Sequence, residues 1–377
     1  MFHAIQVSDG GRRLSFEAQD IDVSVMNAMR RVILSDIPNI AVFFDVNDPT
    51  NHDITVFTNT STTHNEFLSQ RLSLLPLHFR PDEIEGFDKS SLKLVIQKKN
   101  TGWDYDTVYC KDIEIIDTHT NRPIERTRRN RLLPVDPITK GSCILTKLPP
   151  NHASTAEGGE LDLACFASVG TANKHTCYAV VCQATYFNTV DPALSKKKQK
   201  SSGKPQAEFD TCDKYRCFYT NEFDEPNRFT WNIESCSGWQ PVEIVGKALS
   251  ILGAAVRDRI TSIETDDDSV KIEKVGPMFV ITLQQATHTL GNLIQALWYN
   301  WYVRTNIGDA DTALTYVGYN CPHPLQQTIV VKARFEKDHG EREARNVFAR
   351  MLESVHDHLT GIAEKWSDAA GAQKNLP

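Results

Sequence analysis

Hydrophobic spacing along the chain changes character three times. Residues 12–18 alternate weakly, in the manner of an edge strand. Val25, Met26, Met29, Val32 and Ile33 then recur at three-and-four spacing, which predicts an amphipathic helix that Asp22 or Ser24 can cap and Ile37-Pro38 ends. Its other face carries Asn27, Arg30 and Arg31. Strand-like residues follow at 41–45 and 54–58, and Asn65 caps a short helix with apolar positions Phe67, Leu68, Leu72 and Leu75, stopped by Pro76. From about 80 to 223 the texture turns to short β-rich runs at 92–97, 107–116, 142–148, 159–168 and 178–184. Within it, Leu194 to Pro205 is polar without periodicity, so a mobile segment is expected.

Helical texture returns after the strand-like stretch Phe229 to Glu234. Pro241 suits a first helical position, and Ile244, Val245, Ala248, Leu249, Leu252, Ala255 and Val256 form an apolar face reaching about Ile260. Thr265 to Ser269 is an acidic break and the expected linker between two halves. Beyond it the order repeats in outline. A strand carries Phe279, Ile281 and Leu283, a helix runs through Leu290, Leu293, Ile294 and Leu297, and Gln327 to Phe335 reads as another strand. The last helix places Phe348, Leu352, Val355, Leu359, Ile362 and Trp366 at alternating spacings of four and three, a packing seam that needs a facing helix. The helix of 241–260 is the intrachain partner. Each half alone would leave its long helix's apolar face bare, and pairing them buries both. The fold class expected is therefore α+β, with two paired units and a β-rich insert. The divisions are 1–80 and 223–262 for the first unit, 81–222 for the insert, 263–270 for the linker and 271–377 for the second unit.

With 377 residues there is material for more than one core. Lys and Arg number 41 against 48 Asp and Glu, a net charge of −7, so no overall field draws the chain onto a polyanion. Nine cysteines are scattered without a CxxC pair, which predicts reduced thiols and no zinc; Cys212 and Cys217 stand without a second pair. His356 and His358 lie two apart on a helix and point to different faces. The N-terminus shows no basic-then-apolar signal and no apolar run approaches the length of a membrane helix, so a soluble protein without membrane contact is expected. Arg122, Arg126, Arg128, Arg129 and Arg131 make a dense basic stretch that reads as an exposed face or a dock for an acidic partner, and Lys196 to Lys200 as a solvated run. No phosphate loop, nucleophile elbow, HExxH or aspartate cluster occurs, so no catalytic residues and no cofactors are expected. A free-standing nucleic-acid-binding transcription factor is the alternative class, and a cysteine-dependent enzyme a third.

Several segments resemble one family. Asn27 to Pro38, Asn65 to Leu77, and the set Ile144 to Leu148, Glu160 to Leu163 and Gly170 to His175 resemble the α-like assembly subunit of multisubunit RNA polymerases. His288 to Leu293 and Gly318 to Leu325 resemble the smaller subunit that pairs with it. In the loop ending at His175, Ala172 replaces the family's second glycine and Asn173 intervenes before Lys174. Both subunits in one chain looks like the fused subunit of large cytoplasmic DNA viruses. The resemblance implies a non-catalytic platform forming an intramolecular pseudo-heterodimer. Its partners would be the two largest polymerase subunits and the small zinc-binding subunits, with DNA and RNA met only through the complex, in the host cytoplasm or virion. It implies docking of the large subunits at Arg30, Arg31, Glu66, Arg71, Lys174 and His175. The dimer seam implied is Ile244, Val245, Leu249, Leu252, Leu290, Leu293, Phe348, Leu352, Val355, Leu359, Ile362 and Trp366.

Overall fold

In the computed structural model, which describes residues 1–48, 52–136, 138–151 and 158–373, two compact units interleave along the chain. One comprises Met1–Ile33, Gln183–Glu234 and Pro241–Pro377; the other comprises Leu34–Cys182 and Ser235–Gln240. The first opens with β1 (Phe2–Ser8), β2 (Arg13–Gln19) and α1 (Val23–Ser35). The second then runs through β3 (Asn39–Ala41), β4 (Ile54–Asn59), α2 (Asn65–Ser73), β5 (Leu92–Lys99), β6 (Asp106–Tyr109), β7 (Glu114–Asp117) and β8 (Arg122–Pro123). It continues with α3 (Arg126–Leu132), β9 (Ile144–Leu148), β10 (Glu160–Phe166) and β11 (Ser168–Gly170). The chain re-enters the first unit along β12 (Val181–Asn188), followed by α4 (Pro192–Ser202), α5 (Gln206–Thr211), β13 (Arg228–Ser235) and α6 (Pro241–Glu264). Last come β14 (Val270–Val275), β15 (Met278–Gln284), α7 (His288–Trp298), a π-helical turn at Tyr299–Arg304, β16 (Leu314–Asn320), β17 (Thr328–Phe335) and α8 (Glu341–Gln373).

The first unit holds two four-stranded sheets, ordered β1-β2-β13-β12 and β14-β15-β17-β16. In each, a hairpin is followed by a helix, two further strands and a long helix, and the fourth strand returns to pair antiparallel with the second. Strand alternation sets which face is covered. In β2, Leu14, Phe16 and Ala18 are buried while Arg13, Ser15 and Glu17 face outward. This strand lies between β1 and β13, so it is interior and not the edge its weak alternation suggested. The outer place belongs to β1, whose polar positions carry little signal.

The two long helices run antiparallel against each other. Trp366 Nε1 donates to the Val242 carbonyl at 3.1 Å, Arg257 Nη2 meets His356 Nδ1 at 3.0 Å, and Arg345 Nη2 donates to the Ile263 carbonyl at 3.4 Å. On α6 the buried stripe is Ile244, Val245, Ala248, Leu249, Leu252, Val256, Ile260 and Ile263. On α8, Phe348, Leu352, Val355, Leu359, Ile362 and Trp366 are buried, joined by Ala344, Val347 and Met351. The stripe is wider than a two-helix seam because α8 also covers aromatic side chains beyond α6. Phe348 packs on Phe279, Phe335 and Trp298, while Trp366 sits against Phe2 at 5.1 Å and Phe16 at 4.8 Å. Each such buried side chain contributes roughly 1.5–3 kcal/mol.

The other unit is built on a five-stranded sheet, β4-β10-β5-β7-β8, with the antiparallel pair β6-β9 and the short pair β11-β3. Leu92, Leu94, Ile96, Leu161 and Leu163 supply its buried face. The run read as one strand over 107–116 is broken by a tight turn at Cys110–Asp112, and its parts join different sheets, β6 with β9 and β7 with β5. Where a strand was expected at 41–45, the short β3 ends at Ala41 and 42–45 lie outside any strand, and 159–168 divides into β10 and β11.

Two further readings change. Leu194 to Pro205 contributes most of α4: the Asp191 carboxylate accepts from Ala193 and Leu194 amides at 2.8 and 3.2 Å, Pro192 opens the helix, and Gly203 ends it at φ 65°. The caps carry it, and no residue of α4 is buried, which is why no apolar period was visible. Helix α6 runs to Glu264 and β14 starts at Val270, so the break spans only 265–269.

Candidate docking surface

The cap of helix α1 is Asp22, not Ser24. One Asp22 oxygen accepts from the Ser24 amide at 2.7 Å, and the other accepts from Asn300 Nδ2 at 2.7 Å. Val25, Met26, Met29, Val32 and Ile33 are buried, with Trp231 Nε1 3.2 Å from Met26 Sδ. On the opposite face the two arginines differ. Arg30 folds back over one turn to donate twice to Asn27 Oδ1, at 2.8 and 3.2 Å. Arg31 donates to Thr289 Oγ1 on α7 at 2.7 Å, so this guanidinium already links α1 to the helix that occupies the same place in the other sheet's run.

The remaining four predicted docking residues lie in the second unit. Glu66 is exposed in the first turn of α2, whose cap is His64: its Nδ1 accepts from the Glu66 amide at 3.4 Å, and Asn65 is already helical. Arg71 Nη1 donates to the Leu145 carbonyl of β9 at 2.9 Å. Leu68, Leu72 and Leu75 are buried, but Phe67 is 66% exposed and Leu74 is 56% exposed. Seven residues apart, they share one solvent face of the helix. A three-and-four pattern cannot tell which of two apolar faces the tertiary structure covers.

Lys174 and His175 follow β11. The Asn173 amide donates to the Ser35 carbonyl at 2.8 Å, a bond within the second unit. His175 Nδ1 accepts from the Cys177 amide at 3.2 Å, its ring stands edge-on to Phe43 at 5.4 Å, and Lys174 Nζ lies 4.7 Å over that same ring. Gly170 is required here because a Cβ would fall 2.6 Å from the Tyr178 ring. Beneath the loop, buried Asp53 accepts from the Phe43 amide at 2.9 Å and from Ser168 Oγ at 2.6 Å, and pairs with Lys89. Tyr178 hydroxyl meets Ser168 Oγ at 2.8 Å. This polar node was not legible in sequence, since its members come from distant segments. Burial pushes the Cys165 and Cys177 thiols up to about 12, with Asp53 adding to both, so neither is a nucleophile near neutral pH.

The arginine stretch is largely committed inside its own unit. Arg131 grips Glu83 through two bonds of 2.8 Å, Arg128 approaches the same carboxylate at 3.5 Å, and Arg129 donates to the carbonyls of Ile113 and Lys111. Hydrogen bonding from Arg131 holds the Glu83 carboxyl below its ordinary range against the opposing effect of burial. Arg122 and Arg126 remain exposed.

The seam residues divide between two settings. Ile244, Val245, Leu249 and Leu252 on α6 lie with Phe348, Leu352, Val355, Leu359, Ile362 and Trp366 on α8 along the antiparallel helix pair. Leu290 and Leu293 are buried on α7, which lies on β16 and β17. At Gly291 a Cβ would meet Tyr319 at 2.7 Å and Ile329 at 2.9 Å, so the small residue admits side chains of those strands and not another backbone. Sequence reasoning also missed a clamp: Arg304 forks onto Glu225 at 2.7 and 2.9 Å and lies over Phe223 and Tyr299. No local pattern signals it.

A family model described as the RNA polymerase Rpb3/Rpb11 dimerisation domain matches residues 15–255. DNA-directed RNA polymerase II subunit RPB3 of Schizosaccharomyces pombe is 23% identical over 270 residues, covering 63% of this chain and 80% of that protein. Subunit RPAC1 of DNA-directed RNA polymerases I and III of Saccharomyces cerevisiae is 23% identical over 294 residues, covering 64% and 81%. A shorter stretch of 62 residues is 40% identical to subunit 3B of DNA-directed RNA polymerases IV and V of Arabidopsis thaliana, covering 16% and 17%. All three relatives are named as subunits of DNA-directed RNA polymerases. Because the matched model runs from β2 into α6 and spans well over half of the sequence, the chain belongs to the RNA polymerase Rpb3/Rpb11 dimerisation domain family.

Proposed function

We propose that this chain is the non-catalytic assembly platform of a multisubunit DNA-directed RNA polymerase, carrying both dimerisation partners in one polypeptide. The observation that carries the reading is the repeated strand order of the two sheets, with their long helices paired antiparallel. The family match covers the first run, and the run from β14 to α8 lies outside it with the same topology. The second compact unit, entered after α1 and left along β12, is the insert of that arrangement. Tethering makes the pairing of the two runs intramolecular and raises the effective concentration of each for the other. The two largest polymerase subunits dock on the polar face of α1 at Arg30, on the exposed Phe67 and Leu74 of α2 with Glu66, and on the Lys174 loop. Small zinc-binding subunits join the same complex, and DNA and RNA are reached only through it. Fusion of the two partners favours a large cytoplasmic DNA virus as the source and the host cytoplasm as the place of action.

Against a free-standing nucleic-acid-binding factor stand the net charge of −7 and the internal engagement of Arg128, Arg129 and Arg131. Affinity purification of the native complex with mass spectrometry tests the proposal. Co-purifying large polymerase subunits are expected, and a chain recovered alone that binds DNA with steep salt dependence would favour the alternative.

A further inference from the structure

Between β17 and α8 the chain turns through Lys337, Asp338, His339 and Gly340. His339 is 1% exposed, and its ring stands edge-on to Phe335 at 4.7 Å, which fixes its plane. Its Nε2 is 3.0 Å from the Asp311 carbonyl oxygen. A carbonyl only accepts, so Nε2 carries a proton, and Nδ1 is the ring atom left to offer a lone pair in the neutral imidazole. Among the described residues no hydrogen-bond partner reaches buried Nδ1, which faces Glu343 Oε1 at 3.3 Å. A neutral imidazole nitrogen and a carboxylate at this separation repel unless a proton or a metal cation lies between them. The Asp311 carboxylate closes the third side: one donor atom each from Asp311, His339 and Glu343 lie within 4.8 Å of one another.

We propose that Asp311, His339 and Glu343 form a divalent-metal site for Zn²⁺ or a neighbouring first-row ion. One imidazole nitrogen with two carboxylate oxygens suits such an ion and leaves a position for water. The bond from Nε2–H to a backbone carbonyl is the outer contact that orients a metal-bound imidazole. The three donors come from the loop before β16, the β17–α8 junction and the first turn of α8, so the ion would pin the start of the long helix to that loop. A competitor is built in. Lys337 Nζ lies 2.7 Å from Asp311 Oδ1 and 3.8 Å from Glu343 Oε1, on a side chain that is 52% exposed and free to swing into water. Metal entry therefore displaces an ammonium, and Lys337 sets how readily the site fills. This is distinct from a cysteine site: the donors are carboxylate oxygens and an imidazole nitrogen, and Asp311 lies far from the other two in sequence, so no spacing motif announces the set.

The test uses the full chain stripped of metal with a chelator, titrated with Zn²⁺ by calorimetry and with Co²⁺ by visible absorption. One saturable ion per chain is expected, with Zn²⁺ raising the melting temperature. Glu343→Gln and Asp311→Asn, both at partly exposed carboxylates, should each weaken binding by about tenfold or more, while Lys337→Met should tighten it. These surface variants keep the test open should a change at buried His339 prevent folding. The proposal is overturned by absence of saturable uptake in both the natural sequence and Lys337→Met, by equal affinity in Glu343→Gln, or by a Co²⁺ spectrum with a sulfur-to-metal charge-transfer band. That band would place the ion on exposed thiols such as Cys143, Cys182 or Cys212.

Discussion

The two runs of the first unit share a strand order and differ in what they admit between their first helix and third strand. Between α1 and β12 the chain runs through residues 36–180, whereas after α7 it reaches β16 through the π-helical turn and a short loop. Sheet and long helix are the invariant parts because each sheet has one face to cover and each helix one stripe to bury. The connection is the variable part, because a chain that leaves and returns at neighbouring points of a packed scaffold pays little beyond loop closure. The runs also divide their aromatic packing. Trp366 of the second run's helix rests on Phe2 and Phe16 of the first run's sheet, and Arg259 of the first run's helix reaches the Gln285 carbonyl at 3.4 Å. Each long helix thus serves the other's sheet as well as its own.

That comparison breaks most sharply at the helix pair. Leu352→Asp places an unpaired carboxylate among fully buried side chains and should cost several kcal/mol, and Leu249→Asp on the facing helix should cost about as much. Thermal unfolding of both variants checks this. If either stays soluble, compact and equally heat-stable, the helices do not hold the runs together. Next in size is Trp366→Ala, expected to cost about 3–5 kcal/mol by removing a large buried ring that both Phe2 and Phe16 contact. Denaturant midpoints measure it.

Smaller effects sharpen the contrast between linking and docking. Arg31→Ala removes the bond from α1 to Thr289 and should lower stability by at most about 1 kcal/mol, as for an exposed contact. Arg30→Ala should leave the melting temperature nearly unchanged yet reduce recovery of large polymerase subunits in a pull-down. The reverse pattern would make Arg30 structural. The smallest effect is at His358, whose ring stands edge-on to Trp301 and whose basicity is lowered by burial, with Asp22 opposing. Its folded-state value lies below 6.5, so the unfolded chain takes the proton first and the contribution is lost as pH falls below about 6.5. His358→Phe should flatten the stability profile just below that pH, measured by unfolding at matched pH steps.

The amphipathic helices were legible because burial writes a period into the sequence. Val25 to Ile33, Ile244 to Ile260 and Phe348 to Trp366 all carry it, and the caps Asp22 and Pro241 sit beside them. Helix α4 was not legible, since capping by Asp191 and termination at Gly203 leave no apolar trace. Nor was the fate of Phe67: the helix and its buried Leu68, Leu72 and Leu75 were as expected, and Phe67 alone of that set faces solvent. Among the candidate docking residues, residue type could not separate Arg30, turned back on its own helix, from Arg31, spent on α7.

What the sequence determined by itself was the set of amphipathic helices, the β-rich texture between them and the need for a partner to each long helix, because local propensity and hydrophobic period act within a few turns. What only the tertiary structure decided was the exchange of contacts between the two runs, the Asp53 node, the Arg304–Glu225 clamp and the meeting of Asp311, His339 and Glu343. Those depend on segments far apart in the chain converging at a few ångströms, and pairings of that kind leave no periodic imprint on the residues that make them.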